Sequence, residues 1–165
     1  MLKNFYADAY FNNITDISPD YLKSKGIKGI ILDIDNTLIG HNVPMPDEKI
    51  LTHLRYLESE GLKLCVVSNN KYERVKSFSE KIGVTYFVHD ALKPRARGYN
   101  LASQEMGLSM ESIAAVGDQI FTDVWGARRA GCFAILTKPL HKGGEGFLIA
   151  IKRILEKPFI DKERT

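Results

Sequence analysis

The chain has 165 residues, 44% hydrophobic and 26% charged, with a formal net charge of +3 and a pI near 8.8. That length suits one domain with a substantial core. The charge is too small to argue for nucleic acid by itself, and fits an anionic substrate or an anionic membrane surface. Cys65 and Cys132 each lie in or beside an apolar run. They read as small core residues in a reducing compartment, not as a disulfide framework or a zinc site. The N-terminus carries Asp8 and breaks its apolar residues with Asn12 and Asn13, so it does not read as a signal peptide. No apolar run approaches the ~20 residues that span a bilayer.

The elements follow one another as alternating strands and helices. The first 24 residues mix Phe5, Tyr6, Tyr10 and Phe11 with polar side chains, and the first element is placed after them. Residues 28–33 form an apolar run of strand length that ends in Asp33, with Asp35 two positions further on. A loop with Gly40, Pro44 and Pro46 leads to a helix over 47–60, with Ile50, Leu51, Leu54 and Leu57 on one face and Gly61 as its stop. A strand over 62–67 ends in Ser68-Asn69-Asn70. A helix over 72–82, a strand over 84–88, a loop over 90–94 and a helix over 97–106 come next. A strand over 112–116 runs into Gly117-Asp118, a helix spans 122–130, and a last strand covers 132–136. Beyond a glycine hinge at 143–146, residues 146–157 read as a basic amphipathic helix. Strand–helix alternation of this kind predicts an α/β fold with a mostly parallel sheet.

Asp33 with Asp35, Ser68, Lys93, and Asp118 with Asp123 all fall at the C-terminal ends of predicted strands. In a parallel sheet those ends share one edge, where ligands bind. Two acids at the end of a buried strand have no packing use, because an unpaired buried carboxylate is costly. Each residue type has a task in phosphoryl transfer. A carboxylate can attack phosphorus, and a second acid can protonate the leaving oxygen and then activate water. A hydroxyl and a lysine can hold the transferring oxygens, and carboxylates can hold Mg²⁺. Taken singly, Ser68, Lys93 and Asp123 read as turn, loop or cap residues; taken with Asp33 and Asp35 they read as a site. His41 and His89 take no role, Trp125 reads as a core residue, and Gly143-Gly144 lacks the Lys-Ser/Thr of a phosphate-binding loop.

The series Asp33-Ile-Asp35-Asn-Thr37-Leu, Ser68, Lys93-Pro94 and Gly117-Asp118…Asp123 resembles the four ordered motifs of the haloacid dehalogenase (HAD) superfamily, over roughly residues 27–136. The resemblance implies a three-layer Rossmann-like fold with a mostly parallel sheet of about five strands and helices on both faces. It implies a single domain over 1–165, with an N-terminal extension over 1–26 and the amphipathic helix at the other end. It makes Asp33 the nucleophile and a Mg²⁺ ligand, and Asp35 the general acid/base with its backbone carbonyl on the metal. Ser68, Asn36, Asn69 and Lys93 would bind phosphate, Asn36 and Asn69 through their amides. Lys93 would also neutralise Asp33. Asp118 would be a metal ligand, and Asp123 a ligand through water or a support for Lys93. An Asp at position 35 resembles the phosphatases and phosphotransferases of the superfamily.

Family members often insert a cap domain after the first motif or between the second and third. The segments 35–47 and 68–93 are too short for one, so the chain resembles capless members. These take large substrates or close their sites by forming oligomers. The lead-in Lys-Gly-Ile-Lys-Gly-Ile, Asp-Ile-Asp-Asn-Thr-Leu, Ser-Asn-Asn and Lys-Pro are closest to the subfamily IIIA, YqeG-like phosphatases, a group similar to phosphatidylglycerophosphate phosphatases. The expected substrate is therefore a phospholipid headgroup, met from the cytoplasm by peripheral contact at the inner face of the membrane. A soluble sugar phosphate or nucleotide is the enzymatic alternative. Against sugar-heptose and histidinol phosphatases of this type stands the lack of a cysteine-rich zinc loop. A non-catalytic scaffold on the same fold is the other alternative, opposed by the intact acid set. Nucleic acid is not an expected partner, since no aromatic–basic RNA-binding motif is present.

Overall fold

The computed structural model describes residues 2–40, 43–140 and 155–160. His41, the glycine hinge and the predicted basic helix, apart from residues 155–157, lie outside the described residues. A single sheet of six parallel strands carries the structure: β1 (Ala9–Phe11), β2 (Gly29–Leu32), β3 (Lys63–Val67), β4 (Tyr86–Val88), β5 (Ile113–Gly117) and β6 (Phe133–Thr137). The helices are α1 (Pro19–Ser24), α2 (Glu48–Ser59), α3 (Tyr72–Ile82), α4 (Arg97–Met106) and α5 (Trp125–Ala130). The three-layer α/β expectation holds, with one strand more than expected. No cap domain interrupts the described residues.

The strand order is β1-β6-β5-β2-β3-β4. From β2 the chain winds outward through β3 and β4, then returns to the other side of β2 for β5 and β6. The reversal falls between β2 and β5, and at such a switch point an open sheet leaves a crevice beyond its strand ends. Asp33 and Asp118 are the residues that follow those two strands.

Alternation along the strands builds one apolar layer on each face. Ile30, Leu32, Leu64 and Val66 face one way, against Ile50, Leu54 and Leu57 of α2 and Val75, Phe78 and Ile82 of α3. Ile31, Cys65, Val67 and Ala115 face the other, against Tyr99, Ala102 and Met106 of α4 and Ala127 of α5. Both cysteines are free and buried, as small core residues. Helix α2 starts where Asp47 accepts the Ile50 amide at 2.9 Å, an N-cap that satisfies an otherwise orphan donor.

Three expectations need correction. Residues 9–11 form the sixth strand, although the first element is expected only after residue 24. Three residues carry too little periodicity to read, and the pairing is set from outside: Asp8 accepts the Ala134 amide at 2.8 Å and receives Arg128. The helix expected over 122–130 begins as a π-helical turn, Ile120–Val124, and only then becomes α5. Trp125 is half-buried, and it stacks on Phe5 at 5.2 Å under Arg129 instead of entering either core layer.

Candidate active site

Strand β2 runs between β3 and β5 and is buried along its whole length, so the residues just past its end are fixed by the sheet. Asp33 donates its amide to the Val116 carbonyl at 3.1 Å, which extends the pairing with β5 by one residue. Asn36 then adopts the left-handed conformation (φ 62°), which asparagine tolerates better than most residues. Its amide donates to the Ile39 carbonyl at 2.7 Å and closes a tight turn. The expected amide contact of Asn36 with phosphate is thus already engaged within the turn.

Lys93 reaches across from the β4–α4 loop. Its ammonium bonds Asp33 Oδ1 and donates to Asp123 Oδ1 at 2.7 Å. The lysine side chain is only 5% exposed, against 12% for Asp33 and 8% for Asp123. Burial pushes the Asp33 carboxyl up to about 7, opposed by the Lys93 ammonium and assisted by the negative Asp123. For Lys93 burial acts downward, yet Asp123 and Asp33 overcome it and hold the proton well above the ordinary lysine range. Asn69 fixes the backbone of this lysine. Its Oδ1 accepts the Lys93 amide at 2.7 Å, and its Nδ2 donates to the Lys93 carbonyl at 3.4 Å. The loop held this way carries two non-glycine residues at positive φ, Asp90 (43°) and Leu92 (56°), a backbone cost that the surrounding contacts must hold in place.

Asp33, Asp118 and Asp123 each offer a carboxylate oxygen, and these oxygens lie within 4.8 Å of one another. Thr37 donates to Asp118 Oδ1 at 3.4 Å from the turn after β2. Asp123 is placed by two glycines. A Cβ at Gly117 would stand 2.4 Å from the Asp123 side chain, so only glycine at the end of β5 lets that carboxylate come in. A Cβ at Gly126 would stand 2.7 Å from the Tyr99 ring. Tyr99 in turn donates its hydroxyl to the Asp123 carbonyl at 3.1 Å. Both oxygens of Asp123 are engaged, Oδ1 by Lys93 and Oδ2 by the Gln119 amide at 3.1 Å.

Ser68, at the end of β3, is buried, and its Oγ accepts the amide and the side-chain nitrogen of Asn70 at 3.1 and 2.9 Å. With both lone pairs taken, the hydroxyl hydrogen remains as its donor. Asp35 differs from the other acids: its side chain is 50% exposed. Asn70 donates to its Oδ2 at 2.8 Å and Arg74 to its Oδ1 at 2.5 Å. Asn70, Arg74, Tyr99 and Thr37 are the contributors without a role in the sequence reading. Asn70 and Thr37 stand inside the motifs that carry the resemblance. Arg74 and Tyr99 lie on helices whose spacing gives no hint of a site. His89 pairs with Asp90 at 2.9 Å and meets the Tyr72 ring edge to face, outside this constellation.

A nucleophile-type carboxylate against a buried ammonium, with two further carboxylates at a parallel-sheet switch point, defines a hydrolase of the phosphoryl-transfer kind. Residues 43–131 match the family described as haloacid dehalogenase-like hydrolases. The chain belongs to that family. It is 37% identical over 158 residues to the "Probable phosphatase YqeG" of Bacillus subtilis (strain 168), spanning 95% of this chain and 91% of that protein. It is 28% identical over 146 residues to "Phosphatidylglycerophosphate phosphatase 1, chloroplastic/mitochondrial" of Arabidopsis thaliana, spanning 83% of this chain and 42% of the plant protein. Among solved structures, the 3-deoxy-D-manno-octulosonate 8-phosphate phosphatase of Moraxella catarrhalis superposes with a TM-score of 0.52 at 18% identity, over 83% of this chain and 90% of that one. That likeness speaks to the fold.

Proposed function

We propose that this HAD-family phosphatase is a Mg²⁺-dependent phosphomonoesterase that works through an aspartyl-phosphate on Asp33, and that its substrate is phosphatidylglycerophosphate. The observation that carries the chemistry is the buried Asp33–Lys93–Asp123 cluster with Asp118 beside it. The cluster sets three carboxylates beside one ammonium, which bonds Asp33 and Asp123. Hard oxygen donors in that excess suit a small divalent cation. The Moraxella relative was solved with a magnesium ion and a phosphate ion. In this reading Asp33, Asp118 and the backbone carbonyl of Asp35 would hold the metal. Asp123, with its oxygens on Lys93 and the Gln119 amide, supports Lys93 or would reach the metal through water. The bound cation would offset the charge of the phosphoryl oxygens.

The protein's own residues then divide the reaction. Asp33 attacks phosphorus, an O–P bond forms, and the bond to the leaving oxygen breaks as Asp35 delivers its proton there. Water next attacks the aspartyl-phosphate, Asp35 takes the proton, and Asp33 is released with inorganic phosphate. Ser68 donates its hydroxyl to a phosphoryl oxygen, and Lys93 keeps Asp33 oriented while countering the phosphate charge.

Support for a lipid comes from the openness of the site and its flank. With no cap among the described residues, a headgroup can reach Asp33 from a membrane surface. An apolar hollow of about 240 Å³ beside the Asn36–Ile39 turn is lined by Leu38, Ile39, Val43, Met45, Ile50 and Leu140. No helix of the described residues is long and apolar enough to cross a membrane. The test is phosphate release with Mg²⁺ from phosphatidylglycerophosphate in mixed micelles against a panel of soluble phosphomonoesters, with Asp33→Asn as blank. The lipid should be turned over selectively, and the blank should lose on the order of four decades of rate. Efficient cleavage of a soluble ester with no release from the lipid would remove the lipid substrate. Inactivity on every ester would favour a scaffold.

A further inference from the structure

Arg74 is the cation of this site that the proposed hydrolysis leaves without a task. It stands in the first turn of α3, with its side chain 54% exposed, and its guanidinium donates to Asp35 Oδ1 at 2.5 Å. Among the described residues its ion pair is with Asp35, apart from the buried cluster that Lys93 forms with Asp33 and Asp123.

In-line displacement decides what lies near Arg74. The attacking and leaving oxygens sit on opposite sides of phosphorus. Asp33 occupies the attacking side. The acid that protonates the leaving oxygen must come within about 3 Å of it. Asp35 therefore marks the leaving-group side, and so does the arginine bonded to it. A guanidinium 2.5 Å from one oxygen of that acid stands roughly 5 Å from the leaving oxygen. With carbon–carbon bonds of about 1.5 Å, that is the reach of a two- or three-carbon unit.

The resting contacts also define an exchange. Both oxygens of Asp35 are engaged from the α3 side, by Asn70 at 2.8 Å and Arg74 at 2.5 Å. Once Asp35 carries the proton that it delivers to the leaving oxygen, it no longer has the negative charge that holds the guanidinium. An anion on the leaving group can take the guanidinium at that moment, because the planar fork of arginine fits phosphate oxygens in the same bidentate way as carboxylate. A neutral leaving group offers Arg74 nothing in return. Arg74 itself stands in the first turn of α3, whose N-cap Lys71 gives no side-chain cap, so the helix end adds partial positive charge beside it.

We propose that Arg74 is a specificity residue that reads a second phosphate carried by the leaving group, two or three carbons from the scissile ester. Phosphatidylglycerophosphate has this chemistry, and so does a small soluble bisphosphate. The inference rests on the phosphatase reading above, and the experiment separates the failure of one from the failure of the other.

The readout is a ratio: kcat/KM for glycerol 1,3-bisphosphate divided by kcat/KM for glycerol 3-phosphate, measured in Mg²⁺ for wild type, Arg74→Gln and Arg74→Lys. Any general effect of Arg74 on Asp35 acts on both substrates and cancels. A charge-assisted bond to the second phosphate predicts a wild-type ratio of about 10- to 100-fold. Arg74→Gln should bring it to about the twofold statistical value of two equivalent phosphates, and Arg74→Lys should keep part of it. A third arm presents phosphatidylglycerophosphate in mixed micelles. A larger kcat/KM there than for the soluble bisphosphate assigns the second phosphate to the lipid diester, and the reverse assigns it to a soluble metabolite. A wild-type ratio near two, or a high ratio unchanged in Arg74→Gln, overturns the role of Arg74 and leaves the phosphatase standing. No phosphate release from any of the three, or from the wider panel of soluble esters, overturns the phosphatase reading itself, whereas release from another ester alone overturns the role of Arg74.

Discussion

Two carboxylate–cation pairs sit within a few residues of each other in this site, and they are built in opposite ways. Asp33–Lys93 is sealed, with side chains 12% and 5% exposed, and Asp123, Asn69 and Tyr99 fix its parts from behind. Asp35–Arg74 is half in water, 50% and 54% exposed, and one side chain beside Arg74, Asn70, shares the acid. In the first pair, losing a partner strands a charge where water cannot replace it. In the second, solvent or substrate can replace either partner at little cost. The sealed pair suits a nucleophile whose position must not change between turnovers. The open pair suits an acid whose charge comes and goes during turnover.

The comparison breaks most visibly if the sealed pair is cut. Lys93→Met leaves Asp33 and Asp123 buried without their ammonium and should cost about 3–5 kcal/mol of stability in EDTA. The matching change in the open pair, Arg74→Gln, should cost no more than about 1 kcal/mol. Denaturant unfolding of both proteins is the check. Equal losses would mean that the two pairs do not differ in the way their exposure indicates. Next in size is Asp35→Asn, which keeps the shape and one donor–acceptor arrangement but cannot give a proton. It should lose roughly two to four decades of kcat while unfolding at nearly the wild-type denaturant midpoint. Near-normal turnover would assign the acid elsewhere.

The same contrast explains what could be read from the sequence. The sealed pair announces itself through Asp33 at the end of an apolar strand and Lys93 before a proline after another. A parallel sheet brings such strand ends together whatever lies between them. Asp118 and Asp123, at the end of β5 and just beyond it, follow the same logic. Arg74 does not, because it is one of several cations on a helix whose register shows only which face is buried. Its partner depends on how far α3 starts from Asp35, a tertiary distance. Tyr99 is hidden for a related reason: its apolar ring reads as core, and the contact of its hydroxyl with Asp123 needs the space left by Gly126. The edge strand β1 is the clearest gap in the fold. Its three residues are recruited by β6, and the Asp8 contacts that set its register join residues more than 100 positions apart.

The smallest effect tests a polar contact far from the site, against which both pairs can be judged. His53 on α2 is half-buried, and its Nε2 donates to the Ile17 carbonyl at 3.0 Å, which fixes the neutral ring with its proton on that nitrogen. Burial lowers its affinity for a second proton below that of an exposed histidine, despite the Ile17 bond and nearby Asp16. As pH falls through about 6.5, the unfolded chain takes up that proton before the folded one. Stability linked to His53 is therefore complete above this value and is lost between it and the lower folded pKa. In His53→Gln a side-chain amide can still donate to Ile17, but nothing titrates. Comparing the Tm of the two proteins from pH 8 to pH 5.5 removes the opposite contribution of Asp33, whose raised pKa favours the folded state as pH falls below about 7. The wild type should lose Tm relative to the variant as acid is added. A difference that stays flat would mean that the ring takes its second proton as readily in the fold as in water, and that α2 opens there more than its contacts indicate.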